Sequence, residues 1–299
     1  MTNQTLSVRI PSVSVGLPVR NGAERMAHAI DSLINQTHAD FELIISDNCS
    51  TDSTWALLEE YARRDRRIRI FRQERDLGQR GNFEFVLAAA RGMYFMWASD
   101  DDRWHPEFIA TLKKGLDDHP EYPVAMCSYD RALEDGSVEN TVHLTGALDL
   151  TRASYRTIAG QLFTSPADNA FIYGLFRKEF LFTLTGGRLP RSRFDRVLFC
   201  EATLAARPYC VPKVLFAKRV SRMAITARYR NDEVGQIILE PFSYLRFLFA
   251  MLLRVLTSPL VPFWRKPLVF APWFRFIWLR KRKLVRDTAR SFRFVLSAR

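Results

Sequence analysis

The feature that most constrains this chain is an alternation of short apolar runs with stretches of helical period over its first 115 residues. Val13-Ser-Val-Gly-Leu17 reads as a strand ended by Pro18, and residues 24–34 then place Met26, Ile30, Leu33 and Ile34 on one helical face. Phe41-Glu-Leu-Ile-Ile45 is a second apolar run. It is followed by Ser50-Thr-Asp-Ser-Thr54, a cluster of residues that cap helices, and by a helix carrying Trp55, Leu58 and Tyr61. Ile68-Arg-Ile-Phe71 gives a third strand, residues 82–90 a third helix, and Met93-Tyr-Phe-Met-Trp-Ala98 a fourth strand that runs into Asp100-Asp-Asp102. A further helix after Pro106 sets Phe108, Ile109 and Leu112 at core spacing. Strands separated by helices predict an α/β fold, a mainly parallel sheet with helices on both faces.

The second half is more mixed. Residues 123–129 and 170–176 read as strands with a Glu134-Asp-Gly-Ser137 turn between them, and residues 194–206 as a helix with Val197, Leu198, Ala202 and Ala205 inward. Charge divides the chain again. Residues 240–299 hold 13 Lys/Arg against 2 Asp/Glu, a net +11 of the chain's +12, so residues 1–239 stand at +1. The same tail carries 13 of the 38 aromatics. The expected organisation is therefore a globular domain over 1–225, divided into 1–115 and 116–225, and a helical, basic, aromatic C-terminal region over 226–299.

Basic charge among large apolar side chains suits an anionic membrane surface. Arg246, Arg254, Pro259, Pro262 and Arg275 interrupt the apolar runs, so interfacial helices are expected rather than spanning ones, with Trp264, Trp273 and Trp278 at headgroup depth and Arg280-Lys-Arg-Lys283 beside them. A helical cap packed on the body is the alternative. Nucleic acid is not expected as a partner, because the charge is interleaved with aliphatic runs. Cys49, Cys127, Cys200 and Cys210 form no Cys-x-x-Cys pair, and the first ten residues show no secretory pattern. Those features predict a cytoplasmic protein at the inner face of a membrane.

Ligands of parallel sheets bind beyond the carboxyl ends of the strands, where Asn21 to Glu24, Asp47-Asn48 and Asp100-Asp-Asp102 fall. Three successive carboxylates repel unless a cation sits among them, and oxygen-only ligands select Mg²⁺ or Mn²⁺; an Asp capping the next helix is the other possibility. Asp47-Asn48 suits either an Asx turn or a contact to a base or ribose. Arg80 and Asn82 suit either a phosphate at a helix start or an N-cap.

The order of these pieces is more specific than any one of them. Pro18-Val-Arg-Asn21, Asp47-Asn-Cys-Ser-Thr-Asp52, residues 78–82 and Asp100-Asp-Asp-Arg-Trp-His-Pro106 together resemble the family 2 glycosyltransferases with the GT-A fold, closely over residues 12–115 and more weakly over 116–222. The resemblance implies inverting, metal-dependent transfer of one sugar from a nucleotide diphosphate sugar donor to a glycan or lipid-linked acceptor. It implies that Asp47 and Asn48 contact the donor nucleoside, with Pro18, Asn21 and Glu24 shaping that pocket and Arg80, Asn82 and Asp100 also on the donor side. Asp101 and Asp102 would hold Mg²⁺ or Mn²⁺, and Asp195, opening an apolar helix, would be the general base. Ser99 stands where many members carry a further Asp. No Gln-x-x-Arg-Trp occurs, which points away from a processive synthase. A non-catalytic, membrane-associated scaffold on the same fold is the alternative function.

Overall fold

The structure, a computed structural model, describes residues 10–145, 149–161, 170–191, 193–220 and 243–297. The expected alternation is present. Strands β1 (Val13–Val19), β2 (Phe41–Asp47), β3 (Ile68–Arg72) and β4 (Tyr94–Trp97) pair in parallel in the order β3-β2-β1-β4. Helices α1 (Met26–Ile34), α2 (Thr54–Arg64) and α3 (Gly78–Ala88) connect them. Every residue of β1 and β2 is buried, as a parallel sheet covered on both faces requires. Gly16 sets how closely α3 approaches β1: a Cβ there would lie 2.8 Å from Val86 Cγ2 and 2.9 Å from Phe95 Cζ.

Pro18 does not end β1, contrary to expectation. β1 pairs with β4 only through Gly16, while its pairing with β2 continues to Val19. The missing N–H of Pro18 thus costs no ladder bond. Helix α1 begins at Met26, two residues later than its apolar period suggested, and α3 begins at Gly78, four residues earlier.

The second half extends the sheet past β4. Strands β5 (Arg103–Trp104), β6 (Val124–Ala132), β7 (Val138–Val142), β8 (Leu175–Arg177) and β9 (Tyr209–Arg219) complete the order β3-β2-β1-β4-β8-β6-β9-β5, with β7 on β6. The Glu134–Ser137 turn closes the β6–β7 hairpin, with Gly136 at φ +84°. The strand expected over 170–176 is instead a 3₁₀ turn, Phe171–Tyr173, followed by the three residues of β8. Packing decides this: the Phe171 ring lies 5.4 Å from Phe176 and 5.1 Å from Phe199, an anchorage an extended segment would not provide. Helices α4 (Phe108–Asp118), α5 (Tyr155–Gln161), α6 (Lys178–Thr185) and α7 (Phe194–Ala205) cover this half.

The tail forms α8 (Ser243–Thr257), a 3₁₀ segment (Phe263–Val269) and α9 (Phe270–Ser297). It packs on the body. Phe247, Leu248, Met251 and Val255 of α8 join the main core, and Arg254 pairs with the buried Glu201 of α7 at 2.6 Å. Arg265 donates to Leu204 O and Ala205 O, satisfying carbonyls at the end of α7. The domain boundary expected at 225/226 lies outside the described residues. Among the described residues no helix is long and apolar enough to cross a membrane.

Candidate active site

At β1 the connections change direction, to β2 and β3 on one side and to β4 on the other, so the loops after β1, β2 and β4 converge on one crevice. Short hydrogen bonds knit the first two loops. Asn21, at φ 48°, receives the Thr51 N–H on its Oδ1 (2.9 Å) and donates its own N–H to Ser50 Oγ (2.8 Å). The left-handed conformation is one that Asn tolerates. Gly22 N donates to Thr54 Oγ1 at 2.8 Å. A side chain at Gly22 would press on Val19 Cγ2 and reach within 3.0 Å of Asp100 Oδ2, so the glycine brings the β4 loop against the β1 loop.

Asp47 ends β2 and is fully buried. Its Oδ1 accepts from Ser50 N at 3.0 Å; its Oδ2 is buried without a hydrogen-bond partner, and the Arg72 guanidinium stands 3.9 Å away. Asn48 bridges loops: Nδ2 donates to Asp76 Oδ1 (2.6 Å) and Oδ1 accepts from Leu77 N (2.8 Å). Asn82 caps nothing. It lies inside α3, donates to Ser46 O at 2.9 Å, and leaves its own Oδ1 buried and unpartnered. Arg80 donates to Glu84 (3.0 Å) and to Leu189 O (3.4 Å), so its guanidinium ties α3 to the segment after α6. Pro18 is buried in the wall, and Glu24 is exposed on the rim.

The three carboxylates after β4 face different partners. Asp100 pairs with Arg25 at 2.6 Å. Asp101, partly buried, accepts from Ser99 Oγ at 2.6 Å. Asp102 is 2% exposed and accepts from Arg219 N at 2.7 Å, fastening the loop to the end of β9; burial, and then the adjacent Asp101 charge, push its carboxyl up to about 8. Asp102 is thereby buried against the end of β9, while Asp100 and Asp101 are only partly buried. None of the three caps α4, which has no side-chain cap. The next residues explain the Asp-Asp-x-Trp-x-Pro spacing: Arg103–Trp104 adds β5 to β9, and the Trp104 ring lies 5.5 Å from Phe216.

Tyr173, which no sequence signal marked, joins this group. Its hydroxyl is hydrogen-bonded to Ser99 and lies in the field of Asp102, Asp101 and Asp195; burial first, then those charges, hold its pKa well above the usual tyrosine value. The Lys218 Nζ sits 5.2 Å from the Tyr173 ring. Asp195 occupies the first turn of α7, which Arg193 enters at φ 45° and which Phe194 anchors against Phe83. The fold therefore brings Asp101 and Asp195, 94 positions apart in the chain, around one tyrosine. Arg20, Arg25 and Asp76 were also unmarked: Arg20 pairs with Asp76 and Arg25 with Asp100, setting cations between the β1 loop and the two acidic loops.

The oxygen donors suit a hard divalent cation, yet among the described residues no three His, Cys, Asp or Glu side chains gather around one point. A protein-only cage is thereby absent from the described residues; what fits is an ion sharing its coordination with ligand phosphates, the usual mode of Mg²⁺.

A profile of Glycosyl transferase family 2 matches residues 14–182, more than half of the chain. TuaG of Bacillus subtilis (strain 168), named for teichuronic acid biosynthesis, is 30% identical over 155 residues, 51% of this chain and 60% of TuaG. A glycosyltransferase of Haemophilus influenzae is 33% identical over 119 residues, 40% of this chain and 36% of that protein. The chain thus spans less than two thirds of either relative. Among solved structures, S. aureus TarS 1–349 with UDP-GlcNAc superposes with a TM-score of 0.66 at 16% identity, covering 89% of this chain and 72% of TarS 1–349. The mannosyltransferase PcManGT from Pyrobaculum calidifontis, in complex with GDP-Man and Mn²⁺, gives 0.61 at 16% identity, covering 98% and 77%. At that identity the structural likeness is one of fold, GT-A, as the motifs implied. With its ordered strand-end motifs on that fold and a family profile over most of the sheet, the chain belongs to glycosyl transferase family 2.

Proposed function

We propose that the protein transfers one sugar, with inversion, from a nucleotide diphosphate sugar to a hydroxyl of a glycan or lipid-linked acceptor, in cell-surface polysaccharide assembly at the inner face of a membrane. One observation carries this reading: Asp47 Oδ2 is buried at the sheet's ligand-binding end without a hydrogen-bond partner. A buried acceptor left unpaired costs about 1–3 kcal/mol, so it calls for a donor from a ligand. The N–H and O–H groups of a base and ribose supply one, and Asn82 Oδ1 offers a second acceptor in the same crevice.

In this reading Asp47 and Asn82 accept from the nucleoside, Asn48 with Asp76 and Pro18 shapes the wall, and Asn21 and Glu24 line the rim. Arg25 and Asp100 flank the diphosphate. Asp101 would hold Mg²⁺ or Mn²⁺ together with diphosphate oxygens, and such an ion offsets the charge on the departing nucleoside diphosphate. Asp195 takes the proton from the acceptor hydroxyl as the new bond to the anomeric carbon forms and the bond to the diphosphate oxygen breaks. Ser99 and Tyr173 hold the Asp101 carboxylate in one orientation. TuaG's name and the nucleotide sugars bound to TarS and PcManGT support the donor and acceptor classes.

Thermal shift of the full chain against UDP, GDP and dTDP, with and without Mn²⁺, tests the proposal. Binding to the native state stabilises by about 2.7 kcal/mol at a hundredfold excess over Kd. A Mn²⁺-dependent shift with one nucleotide is expected. No shift with any of the three, in an assay where active family members respond, overturns it.

A further inference from the structure

The tail helices have two apolar faces, and the body covers only one. On α8, Phe247, Leu248, Met251 and Val255 are buried, while Phe249 and Leu253 face solvent. Phe263, Trp264, Phe274 and Trp278 of the following segments are exposed as well, and these six side chains are 61–78% exposed. Trp273, expected at this surface, is instead partly buried and donates its indole N–H to Leu248 O at 3.1 Å. Phe249 and Phe274 meet the Trp273 ring at 6.3 and 5.1 Å yet stay 61% exposed, and large apolar side chains exposed in this number mark an interaction site.

Charge identifies the occupant. Residues 243–297 carry 12 Lys/Arg and one acidic residue, Asp287. Arg246, Arg275, Lys281 and Arg282 are exposed beside the aromatic residues, and Lys281 Nζ lies 3.7 Å from the Trp278 ring. Cations interleaved with exposed Trp and Phe match the headgroup region of an anionic bilayer, where aromatic rings sit at the interface and each nearby Lys or Arg adds attraction. We infer that this outward face of α8, the 3₁₀ segment and α9 docks the protein on an anionic lipid bilayer, the helices lying in the plane of the interface. This deepens the membrane placement proposed above and does not depend on the sugar-transfer reading.

Docking in this way positions the catalytic half. Phe247 contacts Arg193, whose guanidinium lies 5.6 Å from the Phe247 ring, two residues before Asp195. Phe249 lies on the opposite side of α8. The start of α7 is then held about one helix diameter, roughly 10 Å, from the lipid headgroups.

The test is co-sedimentation of the full chain with vesicles of phosphatidylcholine alone and of phosphatidylcholine with about one-third phosphatidylglycerol. One variant combines Trp264→Ser, Phe274→Ser and Trp278→Ser; a second combines Lys281→Glu and Arg282→Glu. Both replace exposed residues, and retention of the wild-type melting temperature and nucleotide response establishes that they fold. The wild type is expected to bind the anionic vesicles at least about tenfold more tightly than the neutral ones, and each variant to lose about tenfold or more. Wild-type protein that binds neither vesicle, or variants that bind as the wild type does, overturns the inference. Recovery with cellular membranes but not with protein-free anionic vesicles also overturns it, while leaving the membrane placement to a protein partner. An oligomer in light scattering that the aromatic variant abolishes, with vesicle binding unchanged, assigns the face to a second copy instead.

Discussion

Replacing Arg254 by Leu is expected to destabilise the protein by about 3–5 kcal/mol, the usual cost of leaving a buried charge without its partner. Arg254 reaches from α8 to Glu201 of α7 at 2.6 Å and also donates to Leu184 O, while Glu201 is only 2% exposed. Burial raises the Glu201 carboxyl above its ordinary value, against the opposing bonds from Arg254 and Ser258. Because the folded-state value lies above the unfolded one, the Glu201 contribution to stability is fullest below the unfolded pKa and declines as pH rises through the folded one. Loss of Arg254 widens that gap, so the deficit of the variant should be smaller near pH 5 than near pH 8. Urea unfolding followed by circular dichroism measures it, and a melting temperature lowered by about 6–20 °C is the thermal counterpart. The pair Glu201→Met with Arg254→Met should recover most of the loss, since both charges are then removed. A deficit below about 1 kcal/mol, the level of solvent-exposed pairs, or one that does not vary with pH, would refute the view that α8 is an integral cover of α7.

Asp195→Asn is expected to lower kcat by about 10²–10⁴-fold while preserving the nucleotide-induced thermal shift; a loss under about tenfold would move the base elsewhere. Asp47→Ala should weaken nucleotide binding by about 1–3 kcal/mol in calorimetry, and an unchanged Kd would place the nucleoside away from β2. Asp101→Asn keeps side-chain volume, so the melting temperature should change little while the Mn²⁺-dependent part of the nucleotide shift disappears. Chelation of divalent ions should reproduce that loss in the wild type, and a shift that survives either treatment argues against metal at Asp101.

The strand ends carrying Asp47 and Asp100 to Asp102 were legible because burial periodicity and turn chemistry are local: β1, β2 and β4 are rich in apolar residues and buried throughout, and α1 buries Met26, Ala29, Ile30 and Leu33 at the spacing its sequence implies. Tyr173 was not legible. Its segment has the composition of a strand, and the edge-on packing of Phe171 against Phe176 and Phe199 accompanies the 3₁₀ bend that brings the hydroxyl to Ser99. The burial of Asp102 was hidden for a similar reason, since its partner Arg219 lies 117 residues away on β9, a strand without a clear sequence signal.

The sequence by itself determined the α/β class, the parallel half-sheet, the acidic and amide residues at its ligand-binding end and the basic aromatic character of the tail. Each follows from residue type and short-range spacing. Tertiary structure alone decided which of three adjacent carboxylates is buried, which tryptophans of the tail remain at the surface, and that α8 covers α7. Those outcomes depend on contacts between residues dozens to more than a hundred positions apart, whose free energies are set by burial and geometry that no local pattern encodes.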